Sequence, residues 1–143
     1  MIDPGLKNKN VLVTGGNNPY GIGAATAKAF AVQGAAVFIH YYRQPFERLD
    51  SDELHSDINT PGLPFFYAQQ SKDAGEIVDS IREKGGRADS WECNLYDPSS
   101  VPRLFERAEK ELGHIDILVN NAADYMADTF MPNVMLESDG NVL

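Results

Sequence analysis

Cysteine, long apolar runs and positive charge are all scarce in this chain, and each shortage argues against a class of protein. The single cysteine, Cys93, cannot form an internal disulfide and falls far short of the ligands of a zinc framework. No metal site is therefore predicted. A reducing compartment is the default for such a chain, so the cytoplasm is the expected location.

Apolar segments are short throughout the sequence. Residues 1–10 are polar and lack the apolar run of a signal peptide. No stretch approaches the length of a membrane span, so we expect no membrane partner.

Negative charge dominates, with 21 Asp and Glu against 12 Lys and Arg and a net charge of -9. A body this acidic repels phosphate backbones at long range, so nucleic acid is not an expected partner. A small anionic cofactor remains possible, because local amide groups and a helix N-terminus can bind it against the global field.

What is present is the composition of a globular domain: 143 residues, 43% hydrophobic and 23% charged. Short apolar runs alternate with helical periods, which predicts an α/β fold with a parallel sheet covered by helices. Strands are predicted at residues 11–14, 37–40, 88–92 and 115–119. Right-handed crossovers would place them in the order 3-2-1-4, one side of a Rossmann-type doubly wound sheet.

Three helices are predicted between the strands, at residues 21–33, 73–84 and 100–112. Helical spacing assigns each one an apolar face. The first face comprises Ile22, Ala25, Ala29 and Val32; the second Ala74, Ile77, Val78 and Ile81; the third Val101, Leu104, Phe105, Ala108 and Leu112.

Helix starts are also indicated. Asp73 and Glu76 have the spacing of a capping box. Pro102 is tolerated only in a first turn, which favours a cap at Ser99 or Ser100.

Residues 43–70 form a proline-containing, acidic stretch, called the insert below. We predict irregular structure for it. Loops this long inside a compact domain tend to be functional or disordered.

A glycine-containing loop, residues 14–23, joins the first strand to its helix. Its glycines allow a tight turn and let backbone N–H groups approach a pyrophosphate, and the helix N-terminus adds a partial positive charge. The spacing is longer than G-x-G-x-x-G, so glycines that merely serve the turns remain the alternative. The loop residues predicted to contact a cofactor are Thr14, Gly15, Asn17, Asn18, Tyr20, Gly21, Ile22 and Gly23.

The end of the second strand is where a dinucleotide domain reads the adenosine ribose. Tyr41, Tyr42 and Arg43 lie there, following His40, and no carboxylate is among them. An arginine fork can pair with the 2′-phosphate of NADP, so NADP is favoured over NAD. A solvated surface arginine is the alternative, and the adjacent acidic insert could reverse the preference.

Two motifs together resemble the short-chain dehydrogenase/reductase family. The first is Thr14-Gly15 followed by Gly21-Ile22-Gly23, and the second is residues 116–123, which end in Asn120-Asn121-Ala122-Ala123. The resemblance covers nearly all of the chain except the insert. It implies that residues 14–23 bind pyrophosphate, that Asn121, Ala122 and Ala123 contact the cofactor ribose, and that Asn94-Leu95 meets the adenine.

Three departures from the family pattern stand out. The glycine loop carries two extra residues, Ala123 replaces a glycine, and Asn94 replaces an aspartate. The Asn94 amide oxygen can still accept a hydrogen bond from adenine, although a plain turn residue is an equal alternative.

The resemblance further implies hydride transfer between NAD(P) and a carbonyl or alcohol, with a Tyr as acid/base and a Lys four residues later. No tyrosine of this chain has that lysine, so no catalytic residue is assigned. His40, His55 and His114 have no metal-ligand spacing. Tyr125 and Asp128 could line a substrate side but are more simply loop residues.

The fourth strand should be central, and ending soon after it leaves an apolar edge open. We therefore expect the chain to be part of a domain of roughly 250 residues, which the family resemblance predicts to be a homo-oligomer. Two alternatives remain: a non-catalytic dinucleotide-binding module, and an adenosyl-dependent methyltransferase. The latter usually needs an acidic residue after the second strand, where Tyr41 and Tyr42 lie.

Overall fold

In the computed structural model, which describes residues 3–43 and 58–124, a four-stranded parallel sheet lies between helices. The elements follow in the order β1 (Asn10–Thr14), α1 (Ile22–Val32), β2 (Ala36–Tyr41), α2 (Leu63–Gln70), α3 (Gly75–Glu83), β3 (Arg87–Glu92), α4 (Ser100–Leu112) and β4 (Ile117–Val119). Neither described range contains a helix long and apolar enough to cross a membrane.

The strand order is β3-β2-β1-β4, which confirms the predicted order and the Rossmann-type fold. Every neighbouring pair is parallel, with Leu12 opposite Phe38 in β2 and opposite Leu118 in β4. All carboxyl ends of the strands therefore meet at one edge of the sheet.

Alternation along β1 and β2 divides the core into two layers, as expected for strands that are buried on both faces. Val11, Val13, Val37 and Ile39 face α1 and α3 in one cluster. Leu12 and Phe38 face Leu104 and Ala108 of α4 in the other cluster.

The predicted face of α1 is wrong. Gly23, Ala24 and Ala27 are the buried residues, whereas Ile22 is 78% exposed and Val32 is 75% exposed. Apolar residues surround most of this helix, so two stripes satisfy helical spacing. The smaller side chains face the sheet because they allow the backbone to approach it closely.

The insert contains a regular element that the sequence interpretation missed. Helix α2 begins at Leu63, with a proline in its first turn, and ends at Gln70. Proline is compatible with the first turn, where its missing N–H has no intrahelical partner in any case. Residues 44–57 lie outside the described part of the chain.

Helix α3 has the predicted buried stripe, but its capping box is absent. The Asp73 carboxylate accepts a hydrogen bond from the N–H of Gly75 at 2.9 Å, only two residues on. Glu76 instead pairs with Lys72 at 3.6 Å. Ala74 is the N-cap residue, and no side chain caps the helix.

Helix α4 has the predicted bounds, and Ser99 is its N-cap residue, although no side chain makes a capping hydrogen bond. The predicted apolar face is wrong at Val101, which is exposed. Strand β4 is shorter than predicted and begins at Ile117. Asp116 precedes the strand and bonds to Asn10 of β1 in both directions: its N–H donates to the Asn10 carbonyl at 2.9 Å, and its carboxylate accepts from the Asn10 N–H at 2.9 Å. Ile115 is partly buried and packs against the core cluster that contains Leu104 and Ala108 of α4.

Candidate dinucleotide-binding edge

The glycine loop leaves the carboxyl end of β1 and lies against the residues that follow β4. Gly15 has a φ of +70°, a region that favours glycine. A Cβ atom on Gly15 would lie 2.7 Å from the Cα of Ala122. On Gly23 it would lie 2.6 Å from both the Asn121 Nδ2 and the Gly15 carbonyl oxygen. These two glycines are therefore required by close packing between the loop and the segment after β4.

A network centred on Thr14 and Asn121 joins the two sequence motifs. Thr14 Oγ1 donates to the Val119 carbonyl at 3.3 Å and accepts from the N–H groups of Asn121 at 3.1 Å and Ala122 at 3.0 Å. Asn121 Nδ2 donates to the carbonyls of Thr14 at 2.9 Å and Gly15 at 2.8 Å. The loop is thereby held by the segment that follows β4, with Asn121 lying 106 residues beyond Gly15 in the sequence.

The two loop asparagines hold the loop through their side chains. Asn17 is buried, and its Nδ2 donates to the carbonyls of Gln70 and Lys72 at 2.8 Å each. The Asn18 Oδ1 accepts from the N–H of Tyr20 at 3.0 Å. Both side chains therefore help to fix the shape of the loop.

Tyr20 and Ile22 lie on the rim of the loop with largely exposed side chains. The Tyr20 ring contacts the Phe65 ring of α2, with ring centroids 5.2 Å apart. Together with the Asn17 contacts, this packing brings the insert helix against the glycine loop.

Helix α1 presents its N-terminus at this edge. Its N-cap is Gly21, and no side chain provides a capping hydrogen bond. The first intrahelical bond runs from the Ala25 N–H to the Gly21 carbonyl at 3.1 Å. The N–H groups before Ala25 lack an intrahelical acceptor and concentrate the positive end of the helix dipole, an arrangement suited to phosphate.

His40 supports the loop from β2, a role that the sequence interpretation missed. The ring is buried, with Nε2 2.9 Å from the Cys93 carbonyl and Nδ1 3.3 Å from the Gly15 nitrogen. A neutral ring protonated at Nε2 satisfies both contacts. Burial lowers the pKa of His40 and favours that form, although the Cys93 carbonyl opposes the shift. A histidine that ends a buried strand beside a glycine loop is the signal that was available.

A cavity of about 290 Å³ lies at the same edge of the sheet, beside the carboxyl ends of β2, β3 and β4. Five of the predicted cofactor residues line it, namely Tyr42, Asn94, Leu95, Ala122 and Ala123. His40, Tyr96 and Asp124 complete the lining. The Tyr96 hydroxyl is hydrogen-bonded to the Asp124 carboxylate. The structure therefore brings the predicted ribose and adenine segments to one concave surface.

Asn94 makes the contacts of a turn residue within this surface. Its Oδ1 accepts from the N–H of Tyr96 at 3.0 Å, and its carbonyl accepts from the Ser100 hydroxyl at 2.6 Å. The Asn94 side chain still lines the cavity. The turn role and the predicted adenine role are thus compatible.

Tyr41 ends β2 opposite Glu92, and Arg43 follows the strand two residues later. The Arg43 guanidinium forms an ion pair with the Glu92 carboxylate, with Nη2 2.7 Å from Oε2. Burial and then the Glu92 charge raise the pKa of Tyr41. Glu92 was not among the predicted site residues, because its position beside Arg43 depends on the pairing of β2 with β3.

A larger cavity, about 470 Å³, lies at the opposite edge of the sheet between the ends of α1 and α3. None of the predicted cofactor residues lines it. Tyr125, Asp128 and His55 lie outside the described residues. Within the described ranges, no group of three or more His, Cys, Asp or Glu side chains could hold a metal ion.

Sequence comparisons relate the chain to known oxidoreductases. The sequence profile of the short chain dehydrogenase family matches residues 58–135, more than half of the chain. An uncharacterized oxidoreductase of Bacillus subtilis is 34% identical over 117 residues, which cover 82% of this chain and 32% of that protein. Sorbose reductase of Candida albicans is 34% identical over 118 residues, covering 82% and 31% respectively.

Solved structures show the same similarity. A short chain dehydrogenase from Burkholderia cenocepacia in complex with NADP superposes with a TM-score of 0.62 at 32% identity, covering 87% of this chain and 40% of that one. The chain thus spans about a third of the length of the curated relatives it matches. From the family profile and the shared fold, the chain belongs to the short-chain dehydrogenase family.

Proposed function

We propose that this chain binds NADP(H) at the carboxyl edge of its sheet, and that the protein containing it transfers hydride between this cofactor and a carbonyl or alcohol. NAD(H) is the second candidate cofactor. The proposal rests on the sequence motifs, on the geometry of the glycine loop and on similarity to family members. One of these members, from Burkholderia cenocepacia, is in complex with NADP.

The interlocked glycine loop is the observation that carries the proposal. Gly15 and Gly23 leave no room for a Cβ atom, and Asn121 fixes the loop through two carbonyls. This packing supports an α1 N-terminus without a capping side chain. A preformed set of backbone donors lowers the ordering cost of binding an anion.

Each segment has a distinct part in the proposed binding. The backbone of residues 14–23 holds the pyrophosphate. Tyr41, Tyr42 and Arg43 contact the adenosine ribose, Asn94 and Leu95 meet the adenine, and Asn121, Ala122 and Ala123 contact a ribose of the cofactor. The nicotinamide supplies or accepts the hydride when it is bound.

Proton transfer in the proposed reaction needs an acid/base group, because hydride addition to a carbonyl leaves charge developing on the oxygen. No tyrosine of this sequence has a lysine four residues later. We propose that such a pair belongs to the part of the family's length that this chain does not span. A cytoplasmic homo-oligomer remains our prediction for the whole protein.

A dinucleotide-binding module without turnover is the second candidate, and the same missing tyrosine-lysine pair favours it for the 143-residue chain alone. Turnover of carbonyl substrates separates the two candidates. An intact mass of the natural protein above 15.8 kDa would support the enzyme, and a mass of 15.8 kDa would support the module.

Fluorescence titration with NADPH tests the binding proposal, with Gly23→Ala as the critical variant. The added methyl group meets the Gly15 carbonyl and Asn121 at 2.6 Å, so we expect affinity to fall by about tenfold or more. Gly62→Ala is the matched control, because its Cβ would lie no closer than 3.9 Å to any atom beyond the two adjoining residues. Its affinity should equal that of the unmodified chain.

Circular dichroism of both variants separates a lost site from a lost fold. A folded Gly23→Ala chain that binds NADPH as tightly as the unmodified chain would contradict the proposed location. Absence of NADPH and NADH binding to the unmodified, folded chain would contradict the proposed function itself.

A further inference from the structure

Arg43 is held on Glu92 by an unusually complete set of hydrogen bonds. The guanidinium Nε lies 3.0 Å from Oε1 and 2.9 Å from Oε2, and Nη2 lies 2.7 Å from Oε2. The backbone N–H of Arg43 also donates to Oε1, at 3.0 Å. One edge of the guanidinium fork is therefore fully engaged by a carboxylate.

The sheet itself places this carboxylate. β2 and β3 pair in parallel, with Tyr41 opposite Glu92. Glu92 therefore lies on the neighbouring strand, level with the residue two positions before Arg43. Glu92 is less exposed than its partner, 27% against 54% for the side chains. The carboxylate thus lies at the strand end as the more buried partner, and the guanidinium is the more exposed one.

The Nε and Nη2 edge is one that an arginine uses to bind a carboxylate or a phosphate with two parallel bonds. In this chain the same edge is occupied by Glu92. To bind Arg43, a 2′-phosphate on the ribose must displace this carboxylate or accept hydrogen bonds from the guanidinium N–H groups that do not bond to Glu92. It must also approach a fixed negative charge, a cost that a free 2′-hydroxyl does not incur.

We propose that Glu92 is a specificity-determining residue that competes with the 2′-phosphate for Arg43 and so narrows the preference for NADP(H) over NAD(H). The inference rests on the proposed dinucleotide function and adds a residue that acts on it through Arg43. The pair is exposed enough to exchange, so Glu92 weakens phosphate binding without abolishing it.

Glu92→Gln in the 143-residue chain tests the inference, with NADPH and NADH affinities measured separately by fluorescence. Glutamine keeps the size of the side chain but removes its charge. The Kd for NADPH should fall by about twofold to fivefold, the range that loss of a partly exposed ion pair permits. The Kd for NADH should stay unchanged.

Asp89→Asn is the matched control, since Asp89 lies on the same strand and pairs with Arg82 at 3.7 Å. It removes the same charge from β3 away from Arg43, so the ratio of the two Kd values should stay that of the unmodified chain. An equal change of this ratio in both variants would overturn the inference in favour of a general charge effect.

Arg43→Ala separates competition for the arginine from direct repulsion of the phosphate. In an Arg43→Ala background, the added Glu92→Gln change should improve NADPH binding less than it does when Arg43 is present. An equal improvement in both backgrounds would overturn the role assigned to Arg43.

The two proposals fail in different ways. An unmodified chain that binds neither NADPH nor NADH contradicts the dinucleotide function. An unmodified chain that binds both cofactors, combined with a Glu92→Gln variant of unchanged Kd ratio, leaves that function intact and overturns only the role of Glu92.

Discussion

His40 connects three backbone segments through one imidazole ring, namely β2, the glycine loop and the end of β3. Its Nδ1 accepts from Gly15 and its Nε2 donates to Cys93. A protonated ring carries hydrogen on both nitrogens, so it cannot accept from the Gly15 N–H. The loop contact therefore depends on the neutral form.

A pH dependence follows from the lowered pKa of His40. The unfolded chain takes up this proton first, near the ordinary histidine pKa of about 6.5, so the free energy of unfolding should fall as the pH drops below about 6.5. The decline stops once the folded chain is protonated as well. Urea denaturation between pH 7.5 and pH 5 measures this slope.

His40→Asn should reduce the slope, because it removes the titrating ring. His114→Gln is the control, since His114 is largely exposed and contacts only Glu109 at 3.3 Å among the described ion pairs. An unchanged slope in His40→Asn would show that carboxylates, not His40, control stability in this range.

At the residue scale, the sequence predicted positions better than partners. The glycines of the loop and the asparagine after β4 were identified from spacing and motif. Glu92 and His40 were missed because their roles depend on which atoms lie across a strand pair. Sequence patterns along the chain do not specify the register between paired strands.

Helix α1 shows where periodicity fails at the scale of an element. Its alanines and glycine allow more than one apolar stripe, and contact with β1 selects Gly23, Ala24 and Ala27. Helix α3 carries charged residues between its apolar ones, so only one stripe exists and the prediction was confirmed. The charged face, more than the apolar one, made α3 predictable.

A pair of substitutions compares these two helices. Ile77→Ala in α3 empties a fully buried site and should lower the free energy of unfolding by about 2–4 kcal/mol. Val32→Ala in α1 should change it by less than about 0.5 kcal/mol, because Val32 is mostly exposed. Urea denaturation of both variants gives the comparison.

A large cost for Val32→Ala would mean that this face of α1 is covered in solution. A small cost for Ile77→Ala would contradict the packing of α3 on the sheet. The two outcomes are independent, since the substituted side chains belong to different helices.

Helix α2 was missed for a different reason. Its apolar and polar residues do not alternate with a helical period, and Pro64 lies at its start. Its position is fixed from outside, by Asn17 bonding to Gln70 and by Tyr20 contacting Phe65. Such an element is specified by tertiary contacts that local sequence patterns do not report.

At the scale of the whole molecule, the site depends on joining its two ends. The fold class and strand order were predictable because alternating strands and helices admit few topologies. The motifs near residues 14 and 121 were also predictable, but the hydrogen bonds between them come only from the pairing of β1 with β4.

Asn121→Ala tests this junction. Two carbonyl groups, of Thr14 and Gly15, lose their donor, so we expect a loss of about 1–3 kcal/mol in the free energy of unfolding and weaker NADPH binding. The neighbouring Asn120→Ala is the control, because Asn120 is exposed. Thermal denaturation and NADPH titration of both variants provide the measurement.

Equal behaviour of the two asparagine variants would contradict the assigned network. Lower stability with unchanged NADPH affinity in Asn121→Ala would place the residue in the fold but not in the proposed site.

The Thr14–Asn121 network also sets an order in time. During synthesis, β1, β2 and β3 leave the ribosome before β4 exists, so the loop emerges while its final partners are still 107 residues away. Closing so long a segment of chain is entropically costly, and contacts of high sequence separation form slowly. We therefore expect the glycine loop to be among the first parts of the chain to be made and among the last to reach its final shape.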